Sequence, residues 1–160
     1  MRFCAIDYGD ARTGVAVSDP TGLLAGHTEV IRAYRPEAVA ERVAEIAREY
    51  GVGRLILGLP VNMDGTKGPR AEKAEAFAEL LQNVTGLPVT LWDERRTTVD
   101  AHRILRANGK NGKKRKDVVD AVAAALILEG YLAWERGRPK ETDALEIPEA
   151  SETDAPSEEA

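Results

Sequence analysis

Three carboxylates stand where an acid without a partner is costly, and between them they offer the chemistry of a hard-cation site. Asp7 closes the apolar run Arg2–Asp7, just before the turn formed by Tyr8, Gly9, Asp10, Ala11 and Arg12. Glu94 follows the strand-like Val89, Thr90, Leu91 and Trp92, with Asp93 between. Asp120 interrupts an otherwise apolar stretch from Val118 to Leu126. Acids in such surroundings are paired, protonated or bound to metal. Plainer roles compete at each position. Asp7 could cap its turn, and Asp93 or Glu94 could cap a following helix. Adjacent residues on extended chain point opposite ways, so only one of Asp93 and Glu94 faces a common site. Asp117, one turn before Asp120, is a secondary ligand candidate, although a place near a helix start explains it equally well.

Oxygen donors without a histidine or cysteine cluster select Mg²⁺ or Mn²⁺ over zinc. His27 and His102 lack ligand spacing and read as surface or turn residues, and the single Cys4 reads as a small buried thiol. Around the acids lie candidates for binding a phosphate backbone. Arg95 and Arg96 follow Glu94 directly. The loop from Pro60 to Gly68 leaves a strand end and carries Asn62 and Lys67 among glycines. Six bases crowd into Arg106–Lys116, among them Lys113, Lys114 and Arg115, with no acid until Asp117. Such a patch attracts polyanions, though a solvated loop would look the same.

The elements that must position these residues follow from hydrophobic period and turn chemistry. Residues 2–7, 13–18 and 29–32 read as three short strands joined by turns, most simply an antiparallel meander. Pro36 opens a helix whose Val39, Val43, Ile46 and Tyr50 share a face, closed by Gly51. Arg54 to Leu59 is a continuous apolar strand, as expected where both faces are covered. A second helix spans about 69–84, with Ala74, Phe77, Ala78 and Leu81 inward, and the strand 89–92 follows. A third helix is expected from Thr97 or Thr98 to about Ala107, and the last from Asp117 to Glu135. The order βββ-α-β-α-β-α-α implies a mixed five-stranded sheet, a three-strand antiparallel meander plus two parallel strands, flanked by helices. In such sheets sites gather at the carboxyl ends of strands, where Asp7 and Glu94 lie.

The chain has 160 residues and a net charge of −5, unevenly spread. Eight acids against Lys140 give residues 139–160 a charge of −7, which leaves residues 1–138 at +2. The acidic segment holds no aromatic residue and only Leu145 and Ile147 as large aliphatics, so it reads as a disordered tail on one folded domain, 1–138. No signal peptide or apolar run long enough to span a bilayer is visible, which points to a soluble, cytoplasmic protein.

Four segments in order carry a resemblance to a known family. They are residues 5–19 from Ala5-Ile6-Asp7 to Ser18-Asp19, residues 57–66 from Leu57-Gly58-Leu59-Pro60 to Thr66, Asp93-Glu94-Arg95-Arg96-Thr97-Thr98, and Val119-Asp120-Ala121 with the apolar residues after it. The chain resembles the YqgF/RuvX proteins, which are similar to Holliday-junction resolvases and have a ribonuclease H-like fold. The resemblance spans residues 2 to about 135. It implies that Asp7, Glu94 and Asp120 match the family's strand-one aspartate, post-strand glutamate and helix aspartate. It also implies a nuclease acting on the 5′ end of 16S rRNA precursor or on branched DNA. The mechanism to expect is hydrolysis of a phosphodiester by two clamped metal ions, with Asp7 bridging them. A junction resolvase would need paired sites and hence a homodimer, whereas an RNA-processing enzyme could act as a monomer. Two rivals are weaker. Asp7-Tyr8-Gly9 with the following strand resembles the phosphate hairpin of actin-like and sugar-kinase ATPases, but those close two such domains over a nucleotide. A non-catalytic RNA-binding module for ribosome assembly would gain by losing three acids near phosphates.

Overall fold

A computed structural model describes residues 1–22, 24–96 and 112–137, with the side chains of the last segment described from Val119 onward. Five strands form one sheet: β1 (Arg2–Asp7), β2 (Arg12–Ser18), β3 (Ala25–Arg32), β4 (Val52–Leu59) and β5 (Val89–Asp93), in the order β3-β2-β1-β4-β5. β2 runs antiparallel to both β1 and β3, while β1–β4 and β4–β5 are parallel. The meander and the two crossovers expected from the sequence are therefore present. α1 (Pro36–Tyr50) links β3 to β4 and α2 (Pro69–Thr85) links β4 to β5. Each begins with proline and ends on a glycine in the left-handed region, Gly51 at φ 68° and Gly86 at φ 72°. A 3-10 turn, Glu94–Arg96, follows β5.

The last helix, α3 (Gly112–Gly137), starts five residues before the expected Asp117. Lys113, Lys114, Arg115 and Lys116 thus begin a helix and are no loop; lysine and arginine are good helix formers, and apolar periodicity gives no sign of them. The helix expected over 97–107 and the acidic tail lie outside the described residues. No helix among the described residues is long and apolar enough to cross a membrane.

Strand alternation splits the core in two. Cys4, Ile6, Val15, Val17, Leu55 and Leu57 face α1 and α2 and are buried with Val39, Val43, Ile46, Phe77 and Leu81. Ala5, Ala16 and Ile56 face the other way and pack with Trp92, Ile127, Leu128, Tyr131 and Leu132, so among the described residues α3 is the helix that covers that face. The α3 side is lined by small residues in β1 and β2, which lets a helix lie close to the sheet. With a period of two, Asp7 falls on the side of Ala5, Gly14 and Arg12 on the side of Ala16, and Gly58 on the side of Ile56. The same count puts Trp92 and then Glu94 on the α3 side. One face of the sheet, at one end, therefore carries both strand-end acids.

Candidate active site

Asp7 pairs with Gly14 of β2, and on its other side Gly58 stands one residue beyond the Ile6–Leu57 pair. Both glycines make room. A Cβ at Gly14 would come within 2.0 Å of the Asp120 carbonyl oxygen, and a Cβ at Gly58 within 2.6 Å of Glu94 Oε2 and 2.7 Å of Ile127 Cδ1. Backbone in the sheet thus meets α3 directly at Asp120, and the Glu94 carboxylate occupies the space that a side chain at 58 would fill. The three acids that the sequence singles out are brought to one place, with Asp7 in the middle.

Their electrostatics agree. Burial, then the charges of Glu94 and Asp120, push Asp7 up from 3.8 to about 7, and the Arg70 guanidinium opposes them. Burial likewise raises Glu94, Arg70 lowers it, and Asp93 adds a smaller upward push. Asp120 has a cation of its own: Arg12 Nε donates to Asp120 Oδ2 at 2.9 Å. Among the described residues, no three acidic, histidine or cysteine side chains stand close enough to hold an ion as they are placed. The acids share a field rather than a contact. An all-carboxylate set, partly buried and short of positive charge, fits a hard divalent cation.

Asp93 and Glu94 do take opposite sides. Asp93 is held by Arg95, with Nη2 to Oδ2 at 2.6 Å and Nε 3.1 Å from both oxygens, and this pairing keeps its carboxyl below the usual range. Arg95 Nη1 also donates to the carbonyls of Asn62 and Met63, at 3.4 Å each, tying the loop after β4 to the turn after β5. Asn62 closes its own loop, donating from Nδ2 to Thr66 Oγ1, while Lys67 pairs with Glu75. Arg96 lies over the Trp92 ring at 4.3 Å and the Trp134 ring at 5.2 Å, bracing the Glu94 turn against α3. The side chains of Lys113, Lys114, Arg115 and Asp117 are outside the described residues.

Two site cations carry no signal of their role in the sequence. Arg12 reads as part of a turn, and Arg70 is the second residue of α2, exposed, with its charge felt at both Asp7 and Glu94. Lys73 to Asp10 at 3.2 Å and the stacked rings of Tyr8 and Phe77 at 4.0 Å hold the first turns of α2 beside the turn that follows Asp7. The glycines are the available signal. Gly14 and Gly58 sit inside strands, where glycine marks a close approach.

Comparison with known proteins adds the family. Residues 1–134 match the RuvX model, described as Holliday junction resolvase. A protein of Pelotomaculum thermopropionicum is 47% identical over 141 residues, covering 88% of this chain and 91% of that one. One of Symbiobacterium thermophilum is 47% identical over 142 residues, covering 89% and 99%. Both bear the name "Putative pre-16S rRNA nuclease". Thermus thermophilus RuvC in complex with a Holliday junction substrate superposes with a TM-score of 0.57, 18% identity and coverage of 87% of this chain and 99% of that one. The fowlpox virus Holliday junction resolvase superposes with a TM-score of 0.51, 18% identity and coverage of 83% and 99%. At such identities the structural likeness speaks to the fold, which is ribonuclease H-like.

Proposed function

Since the chain belongs to the RuvX family and is a nuclease, an enzyme that hydrolyses phosphodiester bonds, we propose that it processes the 5′ end of 16S rRNA precursor through a metal site of Asp7, Glu94 and Asp120. The observation that carries the site is the placement of Asp7 between two glycines, of which Gly58 leaves room for the Glu94 carboxylate and Gly14 lets the Asp120 backbone come close. The substrate follows the relatives that match over most of their own length. A cytoplasmic location goes with that substrate.

The acids divide the work by position. Asp7, central and partly buried, would hold the metal together with Glu94 on one side and Asp120 on the other. Mg²⁺ or Mn²⁺, when bound, supplies charge to the phosphate and lowers the pKa of a bound water. Asp7 must be ionised to serve, and its neighbours make that unfavourable until positive charge arrives. Lys113, Lys114 and Arg115 begin the helix that carries Asp120, and would hold phosphates flanking the scissile one. Arg95, Arg96, Asn62 and Lys67 serve the same surface mainly by fixing the loop and the turn at its edge.

A side-by-side assay tests this reading. Purified protein with Mg²⁺ or Mn²⁺ is offered 16S precursor RNA, unrelated single-stranded RNA and a four-way DNA junction. The expected result is metal-dependent trimming of the precursor. Cleavage of the junction with the precursor left intact would instead favour branched DNA, in keeping with the family's description. RNA binding with no cleavage and no Mn²⁺ uptake would leave a ribosome-assembly module.

A further inference from the structure

We infer that Arg12 is a substrate-contacting residue: it holds Asp120 with one nitrogen and offers its remaining nitrogens to a phosphate of the nucleic acid. The inference rests on the phosphodiesterase reading above. A guanidinium has five N–H donors in a rigid fork. Asp120 Oδ2 takes the one on Nε, at 2.9 Å, and Oδ1 stays available to an ion. Among the described residues the two terminal nitrogens of Arg12 have no hydrogen-bond partner. The side chain is 35% exposed, so part of it reaches solvent. Arg12 begins β2, two residues before the Gly14 that pairs with Asp7, and on the same face. It therefore stands just beyond the sheet end where the acids gather.

Its backbone is fixed. Gly9 lets the turn close on Arg12, since a Cβ at Gly9 would fall 2.3 Å from the Arg12 carbonyl oxygen, and Ala33 N–H bonds to the Ala11 carbonyl at 3.1 Å. A guanidinium held at both its backbone and its Nε, with two nitrogens free beside three acids, is preorganised for an anion that arrives next to a metal site. A plain ion pair orienting Asp120 would need no free edge of the fork at the site.

The test separates contact from orientation. In a cleavage-dead Asp7→Asn background, binding of a labelled single-stranded RNA 20-mer is followed by anisotropy over a range of KCl concentrations. Arg12→Gln should lower affinity about 10-fold at low salt and flatten the slope of log K against log salt by about 0.7, the loss of one phosphate contact on a single strand. Arg12→Lys keeps the charge but cannot span Asp120 and phosphate together. It should keep the slope, and in the otherwise wild-type enzyme lose about 10-fold in kcat. Mn²⁺ affinity by calorimetry should not fall in either variant. An unchanged slope in Arg12→Gln, or a loss of Mn²⁺ affinity that accounts for the lost cleavage, overturns the inference. Should Arg12→Gln fail to give a cooperative melt, Arg12→Lys decides by kcat and Mn²⁺ affinity. Absence of any metal-dependent cleavage by the wild type would defeat the nuclease site instead, and the binding slope would still judge Arg12.

Discussion

Asp7 shows how a residue can cost stability for the sake of chemistry. Its carboxyl is raised from 3.8 to about 7 by burial and by two like charges. The folded state therefore holds its proton more tightly than the unfolded chain does. The stability linked to that proton is fully present below about pH 3.8, and is lost as the pH rises through about 7. That displacement corresponds to roughly 4 kcal/mol, and the partial solvent access of the site lowers it to roughly 2–4 kcal/mol. Asp7→Asn should accordingly raise the stability of metal-free protein at pH 8 by that amount, with the gain shrinking steadily toward pH 5. The same variant should lose at least ~10³-fold in cleavage, since the central ligand is gone. Urea unfolding in EDTA at the two pH values, set beside the cleavage assay, measures both. An Asp7→Asn protein that is no more stable than wild type at pH 8 would contradict the electrostatic account. One that cuts normally would contradict the role.

At the scale of elements, the fit of α3 against the sheet is the feature that assembles the site. Gly58→Ala meets the ends of two side chains, Glu94 and Ile127, which can shift; Gly14→Ala meets backbone at Asp120, which cannot shift without α3. Cleavage should fall at least ~10-fold in both. Only Gly14→Ala should also lose roughly 1–3 kcal/mol of stability, the usual cost of overpacking; equal melting temperatures for the two variants would refute this ranking. On the other face, Arg42 of α1 clamps Glu29 of β3 through Nε at 2.7 Å and Nη2 at 2.9 Å. The Arg42 hydrogen bonds hold Glu29 below its ordinary pKa, so its contribution is present above that value and lost as the pH falls below it. Glu29→Gln should cost about 0.5–1 kcal/mol at pH 7, Arg42 being partly exposed, and progressively less as the pH is lowered into the acid range, a comparison that thermal melts can make. Most of these elements were legible in the sequence because period and punctuation agree: Pro36 and Gly51 bound α1, Pro69 and Gly86 bound α2, and Leu55, Ile56 and Leu57 read as a strand covered on both faces. β3 proved four residues longer than its apolar part, since Ala25, His27 and Thr28 extend it by pairing with β2, with a register shift at Gly26, rather than by any pattern of their own. Asp7 and Glu94 were visible as strand ends. Their meeting with Asp120 was not visible from spacing, and neither was Arg12, whose partner lies 108 residues away. Pair contacts at that separation are set by register and helix docking, and the sequence bears on them here only through Gly14 and Gly58.

For the whole molecule the balance of charge sets how it meets a polyanion. The chain is −5 overall, yet residues 1–138 carry +2, and the last 22 residues carry the rest. The acids of the proposed site would add local negative charge where a phosphate is proposed to arrive, with Arg12 bonded to Asp120 and the charge of Arg70 felt at Asp7 and Glu94. Long-range attraction must therefore come from elsewhere, and the bases of Arg106–Lys116, which run into the start of α3, are the densest source in the sequence. A covalently attached segment of charge −7 would compete for those bases at an effective concentration that free salt or RNA must overcome, if the two meet. Deleting residues 139–160 should then tighten binding of single-stranded RNA several-fold at ~50 mM salt, where the Debye length exceeds ~10 Å, and have little effect near ~1 M, where it is ~3 Å. The truncated protein should also show a steeper salt dependence, because bases once neutralised within the chain now release counterions from the RNA. Anisotropy titrations of the two proteins across salt decide the matter. Parallel salt slopes with equal affinities would mean that the acidic segment and the basic run do not interact, and that the +2 of residues 1–138 is already what the RNA meets.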